Sequence, residues 1–229
     1  MYLHVKGKAI NLFYTLEGLY DSSGKVVGYE LLTSIKYRNY NDYIDPQNYF
    51  HNVSRVDGIK ILRSQLKTAI NFINGYSENC FITINVNKNM IDFLLSDVSL
   101  LKILEQNKTK IILELDEKLN SDSFLKVKTL SEHCRLWLDD FGKCDYKTQL
   151  SLIPLISGIK ISHQLLLTLH SLECGETVLN SIAEELRANC KNVIVEGVEN
   201  KEIFNMIKRC NIDLYQGYYF GFQYLGIAD

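Results

Sequence analysis

Short apolar runs alternate along the chain with longer segments in which apolar residues recur at helical spacing. Short runs rich in β-branched residues predict strands, and the amphipathic segments predict helices. The predicted strands lie near Leu12–Leu16 and at Lys25–Leu32, Cys80–Val86, Lys110–Leu115, Leu136–Leu138, Gly158–Ile161, Asn192–Val195 and Asp213–Tyr215. The predicted helices are Gly58–Ile73, Lys88–Gln106, Ser121–His133, Tyr146–Leu155, His163–Asn189 with a break near Gly175, and Lys201–Cys210.

This order of elements predicts βα units and a mainly parallel sheet. Eight strands favour a (β/α)8 barrel of the TIM type, although an open doubly wound sheet would show the same alternation. The chain has 229 residues and two prolines, and no linker-like block divides it. Because α/β barrels of about 250 residues commonly form one domain, we predict a single domain over residues 1–229.

Composition narrows the class of protein. The net charge of −2 argues against binding to a polymeric nucleic acid, which requires a basic surface. The six cysteines form no CxxC pair, which favours reduced thiols. The first residues do not have the pattern of a signal peptide, and no run approaches the ~20 apolar residues that span a bilayer. We therefore expect a soluble cytoplasmic protein with no membrane segment.

Polar side chains lie at or near the ends of the predicted strands. They are Glu30, Asn85, Glu114, Glu117, Asp139, Asp140, Lys160, Glu196, Glu199 and Gln216. In a (β/α)8 barrel the carboxyl ends of the strands converge on the face that carries active sites. Crowded carboxylates there would need divalent cations, and oxygen ligands favour Mg²⁺ or Mn²⁺ over zinc. Two such ions are a known arrangement for cleaving phosphodiesters.

Each of these side chains also has a simpler explanation when it is taken alone. Asn85 and Asp140 could cap the helices that follow them. Glu117 and Glu199 could stabilise helix dipoles as first-turn acids. The side chains that could simply face solvent are Glu30 and Lys160. The joint pattern nevertheless favours a metal-dependent, phosphate-handling site.

The order of the motifs resembles a known family. The segments GYELL, INVN, ILELDE, LWLDDFG, IKIS, VIVEGVEN and YQGYYFG resemble the EAL-domain phosphodiesterases of bacterial cyclic di-GMP signalling, over about residues 13–221. Details such as ELLT and VIVEGVE resemble the short stand-alone EAL enzymes of enterobacteria, which tune motility and fimbriae. The resemblance implies a barrel with an antiparallel first strand, a homodimer, and hydrolysis of cyclic di-GMP to linear pGpG with two Mg²⁺ or Mn²⁺ ions.

The resemblance also implies roles for individual residues. Ligands of the first metal would be Glu30, Asn85, Glu114 and Asp139, while Asp139 would bridge to a second metal held with Asp140. Lys160 would position the attacking water, and Glu196 would orient or deprotonate it. The remaining matched positions, with substrate-binding or supporting roles, are Glu17, Leu32, Glu117, Glu199 and Gln216. Of these, Glu117 would steady the loop after LDDFG, and Gln216 would bond to metal-bound water.

The chain departs from the family pattern at several positions. Leu31 replaces an alanine, and Ser34 stands where an arginine contacts a substrate phosphate, which predicts weaker binding. A glutamine that contacts guanine corresponds to Glu17 or Leu16, depending on the alignment. Ser162 replaces an aspartate near the metals. The loop that links dimerisation to activity contains Lys143 and Cys144, so its regulation is open.

Two other functions fit parts of the sequence. The altered positions would also suit a catalytically weak EAL domain that acts as a cyclic di-GMP receptor. The tyrosine-rich segment Tyr37–Tyr49 would suit a protein partner, since exposed aromatic residues often anchor interfaces. We favour a simpler explanation of this segment, a loop and short helix at the mouth of the substrate site.

Overall fold

The computed structural model describes residues 3–5, 8–38, 43–76, 80–116, 119, 121–143, 146–221 and 227–228. The strands are β1 (Leu3–Val5), β2 (Lys8–Tyr20), β3 (Val26–Tyr37), β4 (Tyr43–Ile44), β5 (Phe81–Val86), β6 (Ile111–Leu115), β7 (Arg135–Phe141), β8 (Gly158–Ile161), β9 (Asn192–Val195), β10 (Leu214–Tyr215) and β11 (Ile227–Ala228). The α-helices are α1 (Pro46–Asn52), α2 (Arg55–Tyr76), α3 (Lys88–Leu95), α4 (Val98–Gln106), α5 (Phe124–His133), α6 (Tyr146–Leu152), α7 (His163–His170), α8 (Gly175–Asn189) and α9 (Lys201–Ile207). Short 3₁₀ helices cover Ser121–Ser123, Ile153–Leu155 and Tyr218–Phe220.

Eight strands close into a barrel. They follow the order β2, β10, β9, β8, β7, β6, β5 and β3, and β3 pairs back to β2. The pairs from β3 through β5 to β10 are parallel, whereas β2 is antiparallel to both β3 and β10. The (β/α)8 prediction is confirmed, together with the antiparallel first strand, and the open sheet is excluded.

Most predicted elements lie where the apolar pattern placed them, with one clear correction. The predicted helix Lys88–Gln106 is two helices, because Asp97 interrupts it and begins α4. The Asp97 carboxylate accepts hydrogen bonds from the backbone N–H groups of Ser99 and Leu100, at 3.0 and 3.3 Å. An N-cap of this kind satisfies amide groups that have no partner inside the helix. The expected break near Gly175 is present between α7 and α8.

The hairpin of β2 and β3 is longer than the sequence predicted. β3 pairs with β5 only from Gly28 to Leu31, and beyond that point it continues alongside β2 as far as Tyr37. Helix α1 follows this hairpin and overlaps the segment Tyr37–Tyr49, for which the sequence predicted a loop and a short helix. Its N-cap is Asp45, whose side chain accepts a hydrogen bond from the Gln47 backbone N–H at 3.0 Å. Both features lie beside the carboxyl end of the barrel.

A small apolar cluster fills the barrel below that end. Its buried members are Leu19, Ile112, Trp137, Ile194 and Leu214. Side chains of a strand return to the same face every second residue. The residues two positions nearer the carboxyl end of the barrel are Glu17, Glu114, Asp139, Glu196 and Gln216. The apolar cluster therefore lies directly beneath these five side chains, which we call the polar layer.

Two predictions from composition can be compared with the structure. The cysteines that the structure describes are all free thiols, namely Cys80, Cys134, Cys174, Cys190 and Cys210. Cys144 lies outside the described residues. Among the described helices, none combines the length and the apolar character needed to span a bilayer.

Candidate functional site

A buried lysine stands at the centre of the polar layer. The Lys160 Nζ lies 3.0 Å from Glu30 Oε2 and 3.1 Å from Glu114 Oε2. It also lies 3.5 Å from Asp139 Oδ1 and pairs with Glu196 Oε1. The Lys160 side chain has no exposed surface. Four carboxylates from separate parts of the sequence thus converge on one ammonium group.

Glu30 is the most fully bonded of these carboxylates. Asn85 donates to its Oε1 at 2.5 Å, and Gln216 donates to its Oε2 at 2.7 Å. Burial acts to raise the pKa of Glu30, but Lys160, Gln216 and Asn85 outweigh it and leave that pKa below its usual value. Glu17 lies directly opposite on β2. Its pKa is raised by burial and then by the charge of Glu30.

The nearby positive charge does not fully compensate the carboxylates of Glu196 and Glu114. Burial raises the pKa of Glu196 to about 8, even though Lys160 acts in the opposite direction. Burial, followed by the charge of Glu30, raises the pKa of Glu114 well above its ordinary value. The Glu114 Oε1 is buried and has no hydrogen-bond partner among the described residues. One ammonium group does not balance this cluster, so further cationic charge would stabilise it.

The arrangement around Lys160 differs from a preformed metal site. Within the described ranges, no three His, Cys, Asp or Glu side chains are grouped so that they could hold a metal ion. The carboxylates instead contact Lys160, and Asn85 presents its amide nitrogen to Glu30. The donor set nevertheless fits a hard divalent cation, because it consists of carboxylate and amide oxygens. The unpartnered oxygen of Glu114 supports the same fit.

Asp140 lies at the edge of the cluster in an unusual conformation. Its backbone φ is +51°, a left-handed value that few residues other than glycine adopt. Its carboxylate pairs with Lys143 Nζ at 2.7 Å. The next helix, α6, begins only at Tyr146. The capping explanation of Asp140 is therefore wrong.

The simpler explanations of three other residues are also contradicted. Asn85 does not cap α3, since Asn87 does so by accepting from the Met90 backbone N–H at 3.0 Å. Glu30 and Lys160 do not face solvent, because both are buried. These side chains lie inside the barrel end, where their cost of burial must be offset by mutual interactions.

Other positions singled out by the sequence lie at the rim or turn away from the cluster. Glu199 is exposed, lies before the first residue of α9, and pairs with His163 Nε2 at 3.2 Å. Ser162 caps α7, and its Oγ accepts from the Leu165 backbone N–H at 3.2 Å. Glu117 lies outside the described residues. The loop after Glu196 depends on Gly197 (φ +69°), where an added Cβ would lie 2.2 Å from the His163 ring.

Two cavities flank the polar layer, of about 500 and 740 Å³, and both are lined by Glu30 and Leu32. The smaller includes Phe50, Met90 and Gln65, and its lining also contains Asn85, Asp139 and Asp140. The larger includes Phe13, Lys36, Tyr43, Glu196 and Gln216. The sequence predicted a loop and short helix over Tyr37–Tyr49, and the structure has a short strand, β4, and the start of α1 there. Tyr43 of β4 lines the larger cavity, and Pro46 and Gln47 of α1 line the smaller one. Residues 39–42 of that segment are outside the described ranges.

Both the sequence and the barrel of this protein resemble those of known proteins. The sequence model described as "EAL domain" matches residues 9–222, nearly the whole chain. This protein therefore belongs to the EAL domain family.

Individual relatives share this architecture at low sequence identity. The chain is 23% identical over 213 residues to the cyclic di-GMP phosphodiesterase PdeH of Escherichia coli strain K12, which covers 90% of this chain and 81% of PdeH. The crystal structure of the EAL-like domain protein YdiV aligns with a TM-score of 0.80 and 16% identity, over 91% of this chain and 89% of YdiV. The PaMucR phosphodiesterase in complex with c-di-GMP aligns with a TM-score of 0.73 and 20% identity, over 93% and 92% of the two chains.

Proposed function

We infer that this EAL domain is a phosphodiesterase that hydrolyses cyclic di-GMP to linear pGpG with two divalent cations, Mg²⁺ or Mn²⁺. One observation carries the proposal: the carboxylates of Glu30, Glu114, Asp139 and Glu196 meet at the carboxyl end of the barrel with too little cationic charge. Asp140 adds a further carboxylate beside this set, because it lines the smaller cavity together with Glu30 and Asp139. The names of PdeH and of the PaMucR complex support cyclic di-GMP as the substrate.

The two cavities support a substrate with two similar halves. They meet at Glu30 and Leu32, so a central phosphate could lie over the acidic layer with one nucleoside on each side. In the smaller cavity, Gln65 is buried and its Oε1 has no hydrogen-bond partner among the described residues. Guanine carries N–H donors that need such an acceptor. The larger cavity offers aromatic surface from Phe13 and Tyr43.

In this proposal one divalent cation would be held by Glu30, Asn85, Glu114 and Asp139, and the other by Asp139 and Asp140. Bound divalent cations would supply Lewis acidity at phosphorus and would make water a better nucleophile at neutral pH. Glu196 would accept the proton of the attacking water, because bound cations would offset the burial and the neighbouring carboxylates that raise its pKa in the metal-free cluster. Lys160 contacts Glu196 and fixes its position. Gln216 donates to Glu30 from the opposite side and is also hydrogen-bonded to Glu17.

A cyclic di-GMP receptor is the second candidate, and one position favours it. Ser34 does not separate the two, since it lines the larger cavity and offers no cation to a phosphate, which weakens binding in either case. Ser162 is used as a helix cap and adds no carboxylate to the metal cluster. Dimerisation, a cytoplasmic location and control of motility or fimbriae remain predictions from the family resemblance.

Incubating the purified protein with cyclic di-GMP and Mn²⁺ should produce pGpG, measured by chromatography. Excess chelator should lower turnover at least about a thousandfold, because the cations supply the main charge stabilisation at phosphorus. Circular dichroism should show that the barrel stays folded, since Lys160 holds the carboxylates without metal. Binding of cyclic di-GMP without turnover would favour the receptor, and the absence of both binding and turnover would favour a protein-interaction role. Full activity in excess chelator would contradict metal-dependent cleavage.

A further inference from the structure

Within the described part of the chain, two lysines pair with carboxylates of the candidate site, and they differ in how deeply they are buried. Lys160 is fully buried and touches four carboxylates. Lys143 is 40% exposed in its side chain, and its Nζ lies 2.7 Å from Asp140 Oδ2. A partly exposed lysine on a flexible four-carbon arm can leave its partner at little cost, whereas the buried lysine cannot. Lys143 is therefore the more easily released of these two cations.

The turn after β7 brings Lys143 back over Asp140. Asp140 and Gly142 both adopt left-handed backbone conformations, with φ of +51° and +97°. The Lys143 backbone N–H donates to the Asp140 carbonyl oxygen at 3.2 Å, which closes the turn. At Gly142 an added Cβ would lie 2.5 Å from the Leu165 side chain, so the turn also requires glycine there. The pairing of Lys143 with Asp140 is thus set by the local backbone.

Asp140 also lies where a cation would be bound in the proposed function. It lines the smaller cavity together with Glu30, Asn85 and Asp139. A divalent cation at Asp140 and the Lys143 ammonium would compete for the same carboxylate. Like charges held this close repel each other, so both cannot be bound there without cost.

We propose that Lys143 is a tethered cation that competes with a divalent cation for Asp140, so that this outer position fills only at a higher metal concentration than the inner one. At the inner position three carboxylates, those of Glu30, Glu114 and Asp139, can hold a cation while the buried Lys160 stays paired with Glu196. The inference rests on the proposed function, since it assumes that these residues hold divalent cations.

Replacing Lys143 by methionine removes the charge and keeps the length of the side chain. Mn²⁺ binding to the substrate-free protein, followed by calorimetry and by electron paramagnetic resonance of free Mn²⁺, should show two classes of site. We expect Lys143→Met to tighten the weaker class roughly two- to fivefold, as expected for release from an exposed ion pair, and to leave the tighter class unchanged. Lys143→Arg should keep the weaker class weak.

The matched control is Lys126→Met. Lys126 forms an ion pair of similar length and exposure with Asp92, at 2.6 Å and 42% exposure on both sides, and neither residue lines the cavities. This control should leave both Mn²⁺ constants unchanged, and Asp140→Asn should remove the weaker class. Equal Mn²⁺ constants in wild type and Lys143→Met would overturn the competition while leaving the proposed function intact. Loss of the weaker class in Lys143→Met would overturn it too, and absence of Mn²⁺ binding from every variant would overturn both.

Discussion

Replacing Glu30 by glutamine should lower cyclic di-GMP turnover by at least about a thousandfold while the barrel stays folded. Among the carboxylates that the structure describes, only Glu30 contacts Lys160, Asn85 and Gln216 together, and it lines both cavities. Glutamine keeps the shape of the side chain but removes the charge that would hold a cation. Steady-state formation of pGpG measures the loss, and thermal unfolding reports whether the fold is retained.

The control for this substitution is Glu176→Gln on α8. Glu176 pairs with Arg209 at the surface and lines neither cavity, so turnover should stay within about twofold of the wild type. A Glu30→Gln protein that keeps more than a tenth of wild-type turnover would remove Glu30 from the proposed metal ligands.

Replacing Lys160 by methionine should destabilise the metal-free protein by about 3–5 kcal/mol, because breaking a buried ion pair leaves charges uncompensated. Lys160 lowers the pKa values of Glu196 and Asp139, so its loss moves them further up. A carboxyl group whose pKa is higher in the folded than in the unfolded state makes the folded protein less stable as the pH rises through the folded-state pKa. The difference in the free energy of unfolding between wild type and Lys160→Met should therefore be larger at pH 8 than at pH 5. Denaturant unfolding in the presence of chelator at both pH values measures this difference.

Lys60→Met provides the comparison, since Lys60 pairs with Asp57 at the surface, at 3.0 Å. An exposed pair is worth at most about 1 kcal/mol, with little dependence on pH in this range. Adding Mn²⁺ should recover part of the stability of Lys160→Met, because a divalent cation can replace the missing charge. A Lys160→Met protein as stable as Lys60→Met at pH 8 would contradict the central role assigned to Lys160.

The sequence predicted the barrel well because its strands are short and strongly apolar. The strands Gly158–Ile161 and Asn192–Val195 have the predicted bounds, and the polar residues that follow the strands do converge. These predictions depend on local patterns and on the rule that strand ends meet at one face. The extension of β2 and β3 was missed because it depends on pairing between the two strands and not on burial in the barrel.

The internal arrangement of the site could not be predicted from residue types. Lys160 was assigned to a single water, yet its ammonium contacts four carboxylates at once, which only the three-dimensional packing of β3, β6, β7, β8 and β9 determines. The pairing of Lys143 with Asp140 likewise depends on two left-handed residues in one turn. Ser162 looked like a lost metal-side acid, whereas its Oγ caps a helix.

Anomalous diffraction from crystals grown with Mn²⁺ would test the metal cluster most directly. We predict two peaks about 3.5–4 Å apart, one within about 2.2 Å of oxygens of Glu30, Asn85, Glu114 and Asp139, and the other between Asp139 and Asp140. Lys160 would then have moved away from at least one of its four carboxylates. A map without peaks at the barrel end, in which Lys160 still contacts all four carboxylates under saturating Mn²⁺, would contradict the proposal that this acidic layer binds metal.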